Sequence, residues 1–218
     1  MTQLFFFLII LSFVLTIVMH MVKKNVLFVW AYVLQSVALS VVLAALAFQT
    51  HELNFFIAAL LTIAVKVVLA PWFLFKRIRI HQVYFTASSY INTPLTLAVV
   101  MLLIIFAHSS VFAPVSMVMG GDGPMVGYVP LIVSSVFISL FLMVNRKGAF
   151  SQIIGMLSLE NAIILLSVFA GLSQSLTVEL GIAFDSAIWV LIASLFLSLL
   201  HRHFGSLDVV EFAQLTEK

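Results

Sequence analysis

The chain has 218 residues, of which 64% are apolar and 8% charged, and its mean hydropathy is +1.26. So few charges cannot cover a water-soluble surface, so the composition excludes a soluble globular protein and indicates an integral membrane protein in contact with a lipid bilayer. The net charge of +2 and pI near 9.1 come from basic residues in the gaps between apolar runs, not from a nucleic-acid footprint, and no nucleic-acid partner is expected.

Apolar stretches of about 20 residues, enough to cross a hydrocarbon core of roughly 30 Å, occur about seven times. The first covers 3–21 and is followed by Lys23-Lys24. A signal peptide carries its basic residues before the apolar run, so this segment reads as a retained helix. The second covers 26–48 and the third 54–75, with Lys76, Arg77 and Arg79 after it. Segment 81–91 is too polar for lipid, so the fourth helix is expected to start at Asn92-Thr93-Pro94, with proline in its first turn, and to run to 113. Gly120-Gly121-Asp122-Gly123-Pro124 lacks the lysine and preceding strand of a phosphate-cradling loop and reads as a turn. The fifth helix covers 126–144 and is followed by Arg146 and Lys147; the sixth covers 149–172 and the seventh 177–200. The expected fold is all-α, one polytopic transmembrane domain over 1–218 with a short tail at 201–218.

Basic residues follow the first, third, fifth and seventh runs, whereas the alternate gaps carry His51, Glu52, His108 and Asp122 and no Lys or Arg. The positive-inside rule then places the N-terminus outside and the C-terminus in the cytoplasm. Trp30, Trp72, Tyr84 and Tyr90 lie near the predicted cytoplasmic boundary and suit an interfacial belt. His20, His81, His108, His201 and His203 fall near predicted boundaries and His51 in an outer gap, so none is paired mid-helix as a haem clamp would require. The absence of cysteine removes thiolate ligation of an iron–sulfur cluster or a nickel–iron centre, and no metal or other cofactor is expected in this chain.

Three ionisable residues fall inside predicted helices: Lys66, Glu160 and Asp185. A charged group at a helix centre costs about 2.5–3.5 kcal/mol on insertion scales, so a function or an ion pair must offset it. Lys66 lies about ten residues from Lys76 and Glu160 about thirteen from Lys147, which puts both roughly 15–20 Å from the basic boundary. They are expected to meet near the midplane. Asp185, about sixteen residues from His201, is expected about 24 Å from that boundary, with Glu179 nearer still to the outer edge. Such a graded row of acids and one base suits a proton path, and a static salt bridge between Lys66 and Glu160 is the other reading. Gln35, Thr62, Ser158 and Asn161 are polar residues in the same helices, able to support the path or simply to bond between helices. A retinal protein is excluded, since its Schiff-base lysine belongs in the seventh helix and Lys66 lies in the third.

The runs Ala64-Val65-Lys66-Val67-Val68-Leu69-Ala70-Pro71, Gly155-Met156-Leu157-Ser158-Leu159-Glu160-Asn161, Glu179-Leu180-Gly181-Ile182-Ala183-Phe184-Asp185 and Gly205-Ser206-Leu207-Asp208-Val209 together resemble the hydrogenase 4 component E family. Members of that family are membrane subunits of group 4 nickel–iron hydrogenase complexes, including formate hydrogenlyase types. Their C-terminal part, here about 126–200, is similar to the K subunit of bacterial complex I and the C subunit of multisubunit cation/proton antiporters. The resemblance implies a multi-pass subunit in the plasma (inner) membrane of a prokaryote. It implies no catalysis by this chain itself, with antiporter-like subunits and a nickel–iron hydrogenase-type core as partners. It places Glu160 and Asp185 on a proton or sodium path. The K subunit usually has Gly two residues before its Glu and Asn four after; here those places are Ser158 and Ile164, and Asn161 follows Glu160 directly. A purely structural subunit that links antiporter-like subunits to the core, and an independent transporter, are the alternative readings.

Overall fold

A computed structural model of the chain describes residues 2–81, 89–112, 114, 126–169, 181, 184–188, 191, 192 and 195. Among these the secondary structure is helical, with one isolated bridge between Ser89 and Arg146. Helix α1 covers Thr2–Met21 and α2 covers Asn25–Thr50. Helix α3 covers Leu53–Thr62 and passes through a π-helical segment, Ile63–Leu69, into α4, Ala70–His81. Helix α5 covers Thr93–Ala107, α6 covers Val129–Asn145 and α7 covers Ala149–Phe169. The described residues of the last predicted run, at 181, 184–188, 191, 192 and 195, are helical too.

Among the described residues, four helices are long and apolar enough to cross a membrane: Gln3–Met21, Asn25–Thr50, Leu53–Ile80 and Ala149–Phe169. Two apolar helices are shorter, Thr93–Ala107 and Val129–Asn145. The fourth predicted span therefore stops well before 113: His108 ends it, with its backbone N–H on Ile104 O and Nδ1 on the same carbonyl, and a 3-10 turn comes next at Ser110–Phe112. The third span is longer than expected and continues past 75 to His81. Asn92 caps α5 as the sequence suggested, its side chain accepting from Leu95 N at 3.1 Å with Pro94 in the first turn.

Apolar side chains such as Tyr32, Leu39 and Ile138 fill the core and, unlike in a soluble bundle, apolar side chains cover the outside as well. Large apolar residues such as Phe48 (70% exposed) and Val144 (73%) cover the outside. Ser12, Thr16, Gln35, Ser36, Lys66, Ser134, Ser139, Ser158 and Asn161 are buried. With apolar lipid outside, helices gain little from burying leucine and are held by close packing and interhelical hydrogen bonds. Helix α2 lies at the centre, against α1, α3, the π segment, α4 and α7, while α6 packs on α1, α5 and α7. The α6–α7 contact is close because residue 155 is glycine; a Cβ there would lie 3.0 Å from Met143 Cγ and 3.3 Å from Met143 N.

Apart from Lys66, the described Lys and Arg residues gather at one end of the bundle. Lys23 and Lys24 join α1 to α2, and Lys147 lies over the Tyr90 ring beside the start of α5. Near the end of α4, Lys76 lies over Trp72, and Phe75 touches Trp30 near the start of α2. Trp30, Trp72 and Tyr90 are exposed there, as an interfacial belt requires; Tyr84 lies outside the described residues. At the opposite end His51 closes α2 in the left-handed region, φ 58°, with its N–H on Ala47 O.

Arg146 stands in the basic gap after α6, as the sequence places it, and is buried there. It is 5% exposed, and its Nη2 donates to Met19 O at 2.7 Å, His20 O at 2.9 Å and Val22 O at 3.1 Å. These carbonyls close the C-terminal end of α1, where helical partners run out and the dipole is negative, so a cation belongs there. Burial pulls the Arg146 pKa below the usual arginine range. His20, in the last turn of α1 near the expected boundary, is buried there: it is 7% exposed, stacked on Phe141, with Nε2 donating to Ile138 O at 3.1 Å.

Candidate functional site

Pro71 explains how the site lysine is presented. A proline inside a helix has no N–H for the ladder, and its ring crowds the carbonyl four residues earlier, so the chain must leave the α register before it. The departure here is the π segment Ile63–Leu69, closed by Ala70 N–H on Val65 O. Widening a turn by one residue rotates the downstream part of the helix by about 100° relative to a continuous α-helix. Lys66 lies inside this segment, and it is the segment's one buried residue, 2% exposed.

Its ammonium meets α7. Lys66 Nζ donates to Glu160 Oε2 at 3.0 Å and to Asn161 Oδ1 at 3.2 Å. The sequence therefore located this encounter from depth alone, and Asn161 joins it. Glu160 is 19% exposed, and its second oxygen, Oε1, accepts from Ser186 Oγ at 2.9 Å. Charge-assisted bonds to both carboxylate oxygens fix the group between two helices.

On its other side Asn161 extends the network into α2 and α1. Its Nδ2 donates to Ser36 Oγ at 2.9 Å and, longer, to Gln35 Oε1 at 3.5 Å. Gln35 Nε2 donates to Thr16 Oγ1 at 3.0 Å, and Thr16 Oγ1 donates to Ser12 O at 2.9 Å. A chain of polar contacts thus runs across the bundle, from α1 through α2, α7 and the π segment to the last helix.

The remaining expected site residues fall differently. Asp185 is exposed, and its neighbour Ser186 bonds Glu160, which brings Asp185 close to the depth of Glu160. Ser158 does not reach the ion pair: its hydroxyl is 3.2 Å from that of Ser139 and joins α7 to α6. Thr62 is buried, a turn before Lys66. Glu179 lies outside the described residues. Ser12, Thr16, Ser36 and Ser186 were not singled out from sequence; the signals were the i, i+4 pair Ser12/Thr16, the adjacency of Ser36 to Gln35, and that of Ser186 to Asp185.

Among the described residues no group of three or more His, Cys, Asp or Glu could hold a metal ion. Chemically, the site is a buried ammonium–carboxylate pair with a neutral amide on one flank and a hydroxyl on the other. Such a pair can pin two helices together or store and pass a proton. Comparison with known protein families finds no match, and neither do comparisons with curated proteins or with solved structures.

Proposed function

We propose that this chain is a non-catalytic membrane-arm subunit of a complex I-like respiratory hydrogenase or a related complex, in which Lys66, Glu160 and Asp185 carry part of a proton or sodium path driven by electron transfer in other subunits. The observation that carries the reading is the Lys66–Glu160 pair at 3.0 Å, deep in the bundle and continued by Ser186 to the helix that bears Asp185. The resemblance to the hydrogenase 4 component E family supplies the partners, namely antiporter-like subunits and a nickel–iron hydrogenase-type core. In this reading seven helices cross the plasma membrane of a prokaryote, with the N-terminus outside and the C-terminus in the cytoplasm.

The exposure of Asp185 at the depth of Glu160 adds support. A carboxylate facing lipid at that depth costs about 2.5–3.5 kcal/mol, so a protein neighbour or a water-lined path suits that face better than acyl chains. Within the pair, transfer breaks a Lys66 N–H bond and forms a Glu160 O–H bond, leaving amine and carboxylic acid; the reverse step restores the ions. Each step moves one proton across the 3.0 Å contact without moving a helix.

A second reading is favoured by the completeness of the bonding around Glu160, whose two oxygens both have partners. There the charges are assembly pins in a subunit that links antiporter-like subunits to the core. Purification of the tagged native complex with mass spectrometry, followed by Glu160→Gln, separates the two. We expect copurification with antiporter-like and nickel–iron subunits, and an assembled Glu160→Gln complex that keeps its redox turnover and loses ion translocation. Loss of assembly with normal translocation by the residual complex would favour the pin, and recovery of the chain alone would overturn the subunit reading.

A further inference from the structure

Lys66 has two flanks, and the chemistry of the two differs. Toward the last helix it meets a carboxylate, a group that takes a proton and gives it back from the same oxygens. Toward α1 and α2 it meets the Asn161 amide.

The orientation of that amide is set by the donor inventory. A lysine ammonium only donates, so Asn161 must turn Oδ1 toward it and Nδ2 away, toward Ser36 and Gln35. At the far end the Thr16 hydroxyl hydrogen goes to the Ser12 carbonyl, so Thr16 Oγ1 accepts, and Gln35 must turn Nε2 toward it. Both ends therefore set both amides in the same sense, every donor pointing away from Lys66. A hydroxyl, a carboxyl group or a water relays a proton because one atom both accepts and donates. An amide accepts on oxygen and donates from nitrogen, so passing a proton through it leaves the imidic acid tautomer, which must revert before the next proton passes. Burial reinforces the barrier: Gln35, Ser36 and Asn161 are 0% exposed, whereas Glu160 keeps 19%.

We infer that Asn161 is a proton stop, a positioning residue that makes Lys66 the end station of the path, exchanging protons with Glu160 and with nothing on the α1–α2 side. The inference rests on the proton-path reading and gives it a direction: protons enter and leave Lys66 by the Glu160 flank alone.

The test uses the assembled complex in proteoliposomes, with proton uptake followed by a pH-sensitive dye and the amount of complex checked on native gels. Glu160→Gln should lose uptake. The double variant Thr16→Val/Ser36→Ala, which cuts both branches beyond the amide, should keep it at the wild-type level. Loss of uptake in an assembled Thr16→Val/Ser36→Ala complex would overturn the stop while leaving the path reading intact. Normal uptake in Glu160→Gln would overturn the path reading and the stop with it.

Discussion

Removing the Glu160 carboxylate leaves the Lys66 ammonium, 2% exposed, with one amide oxygen as its partner, whereas removing Lys66 leaves Glu160 partly exposed and still bonded to Ser186. Deleting one member of a buried pair costs about 3–5 kcal/mol, while replacing both by groups of similar volume is often nearly neutral. Glu160→Gln should therefore destabilise the protein more than Lys66→Met, and Lys66→Met/Glu160→Gln should recover most of the loss. Thermal unfolding of the purified chain in detergent checks the order; a double variant destabilised by the sum of the two single losses would refute the energetic coupling. Asn161 belongs to the same scale. It is the residue at which a charged pair gives way to neutral hydrogen bonds, and its position directly after Glu160 lets adjacent side chains of α7 hold the same ammonium.

At the scale of elements, the π segment shows how a local conflict becomes a site. Pro71 cannot extend the ladder, Ile63–Leu69 absorbs the disturbance, and Lys66 is turned inward by it. Relieving the conflict should separate stability from presentation. A proline in a helix interior costs about 3 kcal/mol, so Pro71→Ala should hold or raise the melting temperature while an α-helical register carries Lys66 away from Glu160. Unfolding temperature and ion translocation, measured on the same preparation, decide the matter; an unchanged translocation would mean that the π segment does not set the position of Lys66. Gly155 has a comparable local role at the α6–α7 seam, where the backbone of Met143 leaves no room for a larger residue.

At the scale of the whole molecule, the concentration of basic residues at one end gives a direct test of orientation. The chain has no cysteine, so a single introduced thiol is unique. With the basic end in the cytoplasm, His51→Cys should react with a membrane-impermeant maleimide on whole cells, and Lys24→Cys only after permeabilisation. The opposite pattern would invert the topology. Much of this architecture was legible in the sequence because membrane spans depend on length and hydropathy, and because the Asn92-Pro94 start of α5 is a local signal. The meeting of Lys66 and Glu160 was legible as well, since both could be counted from basic anchors beside their own helices. Features that depend on how one helix is offset or rotated against another were not. The burial of Arg146 against the end of α1 had no sequence signal, and the turn of Lys66 into the core rests on a π segment that hydropathy does not register, although Pro71 marked its end.

The neighbouring residues Asn145 and Arg146 also bear on the order in which the protein is made. Asn145 accepts from Tyr90 N on its carbonyl and from Ile91 N on its side chain, and donates to Thr96; Arg146 holds the end of α1. All of these partners are translated earlier, those on α1 by well over a hundred residues. Until the ribosome has delivered this dipeptide, the exit of the first helix and the entry of the fifth have no such fastening. A chain arrested before residue 145 should thus hold the contacts of α1 with α2 and of α2 with α3 but lack the fastening of the α1 exit and the α5 entry, which becomes a late event in biogenesis.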